Sequence, residues 1–467
     1  MTQRLTAVAR RVAISGTTHP RRWLWAALCL AVAFRLAVLV AEVSRGDGID
    51  QSESRVHTVA ESVASGRGMR LCNQYFPSCA RGNDATAQVG PLPVLVLAAA
   101  MQLAPSHARI AFVLVQILAG LATIACSYGL ARRLHAHPGS AVLAALGLAV
   151  YPHLARLELR IGEEPLFTAL LCAGMLALAR HLDQRTLGTA ALAGMLLGAA
   201  ALCRSALVYF VPILAVALPV LRTIAKRSER PAAHAHPPPA LHLALRHLAC
   251  AAALCAGFAV PLAPWVARGY AAFGSFVPGG TMTGYNLYRH NHVVASPDYL
   301  RYVRGDEAAD AVAALLARRT DLRGDESEAE MDRVYRTEAL RIIAAHPVRY
   351  AILSAHRILP LLTEHGVSPT PLPLVWRAIG LAHVALFALA GWVFVERRAA
   401  RPAALGAVAL LLGYYVAGHL LANAKLRYVV PVVPLVAAVA ADSARRLGAR
   451  VIGEDRIAPP PGSGSCE

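Results

Sequence analysis

Apolar runs of bilayer-crossing length recur along nearly the whole chain, at about 23–43, 109–131, 139–155, 163–181, 188–203, 205–221, 247–267, 373–395, 403–421 and 428–443. The hydrocarbon core of a membrane is about 30 Å thick, which an α-helix crosses in roughly 20 residues. No water reaches a backbone there, so each run has to satisfy its own N–H and C=O groups and must be helical. The runs are too long for the alternating strands of a membrane barrel. Composition agrees: 56% of the residues are hydrophobic and only 16% are charged, where soluble domains carry about a quarter. These features predict an all-α polytopic membrane protein of about 10–11 transmembrane helices.

The formal charge of +18 does not indicate nucleic acid, because the arginines stand at the ends of apolar runs rather than on one soluble face. Basic residues beside a span mark its cytoplasmic side. Residues 1–22 carry Arg4, Arg10, Arg11, Arg21 and Arg22 and are placed inside. The run that follows is too long for a signal-peptide core and reads as an uncleaved first span. Segment 44–90 is then an outside loop, 222–246 is inside, 268–372 is a long outside segment, and the tail 446–467 is inside. A core of spans thus covers 23–267 and a last group covers 373–445. Parity between loops 44–90 and 222–246 requires one run not to cross. Run 91–105 is the short one and carries Pro91 and Pro93, so it is expected to be re-entrant or surface-lying. Lys226 and Lys425 are the only lysines among 46 basic residues, which reads as a compositional habit.

Of nine cysteines, Cys72 and Cys79 share one polar loop and can bridge if that loop lies in an oxidising compartment. No CxxC or Cys/His metal spacing occurs, so the cysteines name no metal site. The same loop places Asp47, Asp50 and Glu53 near the membrane edge. A carboxylate there can serve as general base on a hydroxyl acceptor, or it can simply be the solvated start of a loop.

From Glu53 the loop reads Glu-x3-His57-x2-Ala60-x5-Gly66-x-Gly68. Further stretches are Tyr151-Pro152 with Gly162-Glu163-Glu164-Pro165, the Gly-rich run 193–203 ending at Arg204, Pro264-Trp265 with Arg268, Gly284-Tyr285-Asn286-Leu287-Tyr288, and Arg427-Tyr428-Val-Val-Pro431-Val-Val-Pro434. In order and spacing these resemble the polyprenyl-phosphate-sugar-dependent glycosyltransferases of the GT-C superfamily, which include protein O-mannosyltransferases and the lipid A aminoarabinose transferase.

The resemblance implies transfer of a sugar from a polyprenyl phosphate to a glycan, lipid or protein acceptor, with inversion, on the periplasmic face of a bacterial cell membrane. Glu53 takes the place of the family's usual Asp, with His57 where Tyr is usual; Asp50, three residues earlier, competes for the role of base, and Asp47 lies close by. Arg204, Arg268 and Arg427 are candidates for holding the donor phosphate, because a leaving phosphate needs cations; a snorkelling arginine is the bland reading of each. Tyr285 and Asn286 suit a sugar pocket or a packed turn. Glu163 and Glu164 suit substrate contact, or a structural pair with Arg160. Some relatives hold a divalent metal with such acids and others do not, so a metal stays open. The other function classes are a flippase of lipid-linked glycans and a non-catalytic polyprenyl-lipid-binding relative. The inverted repeats typical of a transporter are not found.

Overall fold

The computed structural model describes residues 19–44, 54–73, 76, 79, 84–228, 240–363, 374–396 and 401–452. Asp47, Asp50 and Glu53 lie outside the described residues. Long helices dominate, as the hydropathy requires. They are α1 (Pro20–Ser44), α2 (Arg55–Ala64), α3 (Pro91–Leu103), α4 (Ala108–Leu134), α5 (Pro138–Ala149), α6 (Pro152–Glu158), α7 (Glu164–Gln184), α8 (Leu187–Cys203), α9 (Phe210–Ser228) and α10 (Ala240–Phe273). After these come α11 (Thr283–Asn291), α12 (Gly305–Arg318), α13 (Glu328–Ala345), α14 (Pro347–His356), α15 (Ile358–Thr363), α16 (Leu374–Glu396), α17 (Pro402–Ala422), α18 (Leu426–Val429) and α19 (Val433–Ile452). Among the described residues, seven helices are long and apolar enough to cross a membrane, or eight if α5 and α6 form one span. Leu187–Cys203 and Ser205–Leu221 are shorter apolar helices.

Proline sets several of the boundaries. It stands in the first turn of α3, α5, α6, α7, α14 and α17, where its missing N–H would have had no partner anyway. One boundary departs from the sequence reading. Run 139–155 was expected as a single span, but the chain bends by 55° between α5 and α6. Pro152 disfavours helical geometry at the residue before it, and Tyr151 accordingly adopts φ −77°, ψ 111°. Run 91–105 becomes α3, only 13 residues long, or about 20 Å at 1.5 Å per residue. It packs on α2, the helix of the first loop.

The apolar core of the bundle runs through α4, α5, α7, α8, α9, α17 and α19. The described part of segment 268–372, named the outer segment after its expected placement, builds a separate core from Tyr285, Tyr288, Met331 and Tyr335. The first loop contributes to it: Phe76, 1% exposed, meets the Tyr335 ring edge-on at 6.0 Å. The Cys72–Cys79 disulfide, with Cα atoms 5.2 Å apart, brackets that phenylalanine.

Three polar devices hold the outer segment against the bundle. Glu328, in the first turn of α13, accepts from the Ala87 N–H (2.9 Å), Gln88 Nε2 (2.6 Å) and Thr281 Oγ1 (2.6 Å); burial still pushes its carboxyl above the usual range. Asp332 accepts from the first N–H groups of α11, at Gly284 (2.6 Å) and Tyr285 (3.2 Å), where a helix N-terminus favours an anion. Arg357 reaches Asn291 Oδ1 (3.0 Å), the His290 carbonyl (2.5 Å) and the terminal carbonyls of α17 at Leu420 (3.1 Å) and Leu421 (3.2 Å). Burial lowers its guanidinium to about 10.

Candidate active site

A cavity of about 1310 Å³ opens where the first loop, the bent α5–α6 pair, the outer segment and the ends of α7, α8 and α17 meet. Its lining holds seven arginine and lysine residues against two described carboxylates. An excess of this kind, in a cavity partly out of water, selects for anions.

At the centre is Arg204, which ends α8 in extended geometry. Its Nη1 lies 3.4 Å from Glu163 Oε1 and 3.2 Å from Glu164 Oε1. Arg427 meets the same Glu164 oxygen at 2.9 Å. Both carboxylates sit at the start of α7, whose N-terminal dipole favours them there. The Tyr428 ring lies 5.4 Å from the Arg204 guanidinium and 5.5 Å from that of Arg427. Tyr415, 2% exposed, has a hydroxyl with no hydrogen-bond partner among the described residues. Its ring lies between Phe167 (6.1 Å) and His419 (4.5 Å).

A second edge of the cavity comes from α6. His153 packs on Trp376 at 4.9 Å, and Arg156 lies over the same indole at 5.1 Å while meeting Glu42 at 3.0 Å. The helix that carries them is tied down inside the bundle. Arg35 and Glu158, 1% and 0% exposed, form a two-pronged ion pair, through Arg35 Nη2 to Glu158 Oε1 at 2.8 Å and through Nε to Oε2. Arg35 also donates to the Ala149 carbonyl at 3.3 Å, so one side chain from α1 grips both halves of the bend.

The structure brings together five of the residues singled out in sequence: Arg204, Arg427, Glu163, Glu164 and Asn286 all line the cavity. The expected pairing of the acids with Arg160 is replaced by Arg204 and Arg427. Three residues are elsewhere. Arg268 donates to the Thr86 carbonyl (2.6 Å) and the Met69 carbonyl (3.0 Å) and packs on Trp265, so its donors hold the first loop rather than facing the cavity. Tyr285 is fully buried in the outer core between Phe76 and Tyr335. His57 is buried on α2, with Nδ1 3.6 Å from Glu61. Cys72 and Cys79 are joined, as the loop composition allowed. Sequence reasoning missed Arg35 with Glu158, and also Tyr415, Arg289 and Lys425. Arg35 was visible as a charge inside the first apolar run, which is costly unless partnered. Among the described residues no three His, Cys, Asp or Glu side chains gather as a cation site.

Residues 88–236 match the family described as dolichyl-phosphate-mannose-protein mannosyltransferase. The archaeal oligosaccharyltransferase AglB from Archaeoglobus fulgidus, solved in complex with an inhibitory peptide and a dolichol-phosphate, is similar in fold, with a TM-score of 0.50 at 14% identity. The alignment covers 96% of this chain and 53% of that one, so the chain spans about half the length of AglB. No curated protein matches the chain by sequence. The family match is confined to residues 88–236, and the likeness to AglB is one of fold.

Proposed function

We propose that the chain moves a sugar from a polyprenyl-phosphate donor to a hydroxyl acceptor at the extracytoplasmic edge of the membrane, inverting the anomeric carbon. The observation that carries this reading is the arginine pair, Arg204 and Arg427, held on two helix-start carboxylates inside a cavity with more cations than acids. The dolichol-phosphate in the AglB complex fits the same chemistry. In the reaction the acceptor O–C1 bond forms, the C1–O(phosphate) bond breaks, and the acceptor proton passes to a carboxylate. The departing phosphate gains one negative charge, so cations fixed at its oxygens act on the transition state more than on the ground state. Arg204 and Arg427 supply them, the Tyr415 hydroxyl is a free donor beside them, and Glu163 and Glu164 keep the guanidiniums oriented. The base comes from the first loop: Glu53 first, then Asp50, with Asp47 the remaining acid. Ser54, next in sequence to Glu53, lines the cavity and donates to the Ile161 carbonyl at 3.0 Å. The disulfide in that loop supports placing it in an oxidising compartment.

The test is sugar transfer in proteoliposomes from a labelled polyprenyl-phosphate sugar to lipid, glycan and protein fractions of a cell envelope. Loss of a general base costs about 10²–10⁴ in rate, and Glu53→Gln or Asp50→Asn should show it. Undiminished transfer by Asp47→Asn, Asp50→Asn and Glu53→Gln alike would remove the base assignment. Movement of the donor across the bilayer without transfer would favour a flippase.

A further inference from the structure

The cations of the cavity are not equivalent. Arg204 and Arg427 face Glu163 and Glu164 at 2.9–3.4 Å, so that group is close to neutral on its own. Arg289 on α11 and Lys425 before α18 line the same cavity from the outer-segment side, and neither has a carboxylate within salt-bridge distance among the described residues. Arg289 Nε is buried with no hydrogen-bond partner there, and its guanidinium lies 6.0 Å from the Tyr285 ring. Lys425 Nζ lies 5.4 Å from the Tyr302 ring. The neighbouring acids are engaged elsewhere: Glu307 with Arg301 (2.5 Å) and His292 (3.7 Å), Asp306 with Arg304 (3.5 Å). Arg289, Arg357 and Lys425 all act on the buried His290, whose imidazole is held well below its usual value by burial and then by these charges. An aromatic face attracts a cation but does not neutralise it, and partly desolvated charges without a counter-ion are costly. Lys425 is also one of only two lysines among 46 basic residues. An ammonium offers a compact point charge, where a guanidinium offers a planar fork.

We propose that Arg289 and Lys425 form a second anion subsite of the cavity, which receives a phosphate or carboxylate of the acceptor. The acceptor is then an anionic glycan or glycolipid headgroup rather than a neutral hydroxyl compound. The inference rests on the donor reading above. That reading already places the donor phosphate at Arg204 and Arg427, and a transferase has a second substrate to orient.

The experiment uses the full chain in phosphatidylcholine nanodiscs. N-acetylglucosamine 1-phosphate, with uncharged N-acetylglucosamine as its control, is titrated with and without saturating decaprenyl phosphate. The phosphosugar should bind with decaprenyl phosphate present, and the uncharged sugar should bind far more weakly. A hydrogen bond to a charged group contributes about 1.5–3 kcal/mol, so Arg289→Ala and Lys425→Ala should each weaken the phosphosugar about 10-fold or more. Their affinity for decaprenyl phosphate should stay within about 2-fold of wild type, with unfolding temperatures unchanged, and Arg204→Ala should show the opposite pattern. Mutual displacement of the two probes, equal binding of the uncharged sugar, or weakened decaprenyl phosphate binding in Arg289→Ala and Lys425→Ala would each overturn the proposal. Failure of the wild type to bind decaprenyl phosphate at all would sink the donor reading, and this inference with it.

Discussion

The Arg35–Glu158 pair gives a quantitative test of how the bundle positions its cavity. Both side chains are essentially unexposed, and Glu158 takes two prongs of one guanidinium while the remaining arm of Arg35 serves the Ala31 (3.1 Å) and Ala149 (3.3 Å) carbonyls. Removing one partner of a buried pair costs about 3–5 kcal/mol, because the other is left charged and unpaired; replacing both with apolar residues is often close to neutral. Arg35→Met and Glu158→Leu should therefore each destabilise by about 3–5 kcal/mol, a roughly 100- to 5000-fold change in the unfolding equilibrium, while the double variant should recover to within about 2 kcal/mol of wild type. The single variants should also lose transfer activity, since α6 carries His153 and Arg156 to the cavity. A reversible denaturant titration in detergent micelles, run on all four proteins, reads the cycle. Single costs below about 1 kcal/mol, or a double cost equal to the sum of the singles, would refute the reasoning.

Other outcomes follow from the same contacts. Gly284→Ala puts a Cβ against the Asp332 carbonyl and 2.9 Å from the Arg336 nitrogen, which should part α11 from α13, cost about 1–3 kcal/mol and raise protease sensitivity in 274–360. Replacing Cys72 and Cys79 by Ser opens a loop with a sequence separation of 7; the chain-entropy relation gives about 2–2.5 kcal/mol, read as an earlier unfolding of the outer segment. Arg268→Ala should lower stability by removing the guanidinium donors from the Thr86 and Met69 carbonyls, the second of which keeps the Thr86 N–H, yet leave the affinity for polyprenyl phosphate unchanged. Titration of that affinity checks it, and a large loss would return Arg268 to the phosphate site.

The membrane class and the position of most helices were legible because hydropathy over about 20 residues is a strong, local signal. The bend at Tyr151 was written in Pro152 but hidden inside an apolar run that averages as one span. Arg204 and Arg427 were legible as arginines at the ends of apolar runs. That they share Glu164 depended on α7, α8 and α18 meeting, which no local pattern reveals. Arg268 looked equivalent to them because a guanidinium at a helix end serves an anion or backbone carbonyls equally well; only the course of the first loop decides which. Residue type left Tyr285 open between a sugar pocket and a packed turn, and burial against Phe76 and Tyr335 decides for packing.

A structure of the full chain in nanodiscs with bound polyprenyl phosphate tests the central claim most directly. The account predicts phosphate oxygens within about 2.7–3.2 Å of the Arg204 and Arg427 guanidiniums, with the Tyr415 hydroxyl turned toward them. A phosphate held at Arg268, or anywhere outside the cavity bounded by α6, α7, α8 and α17, would contradict it.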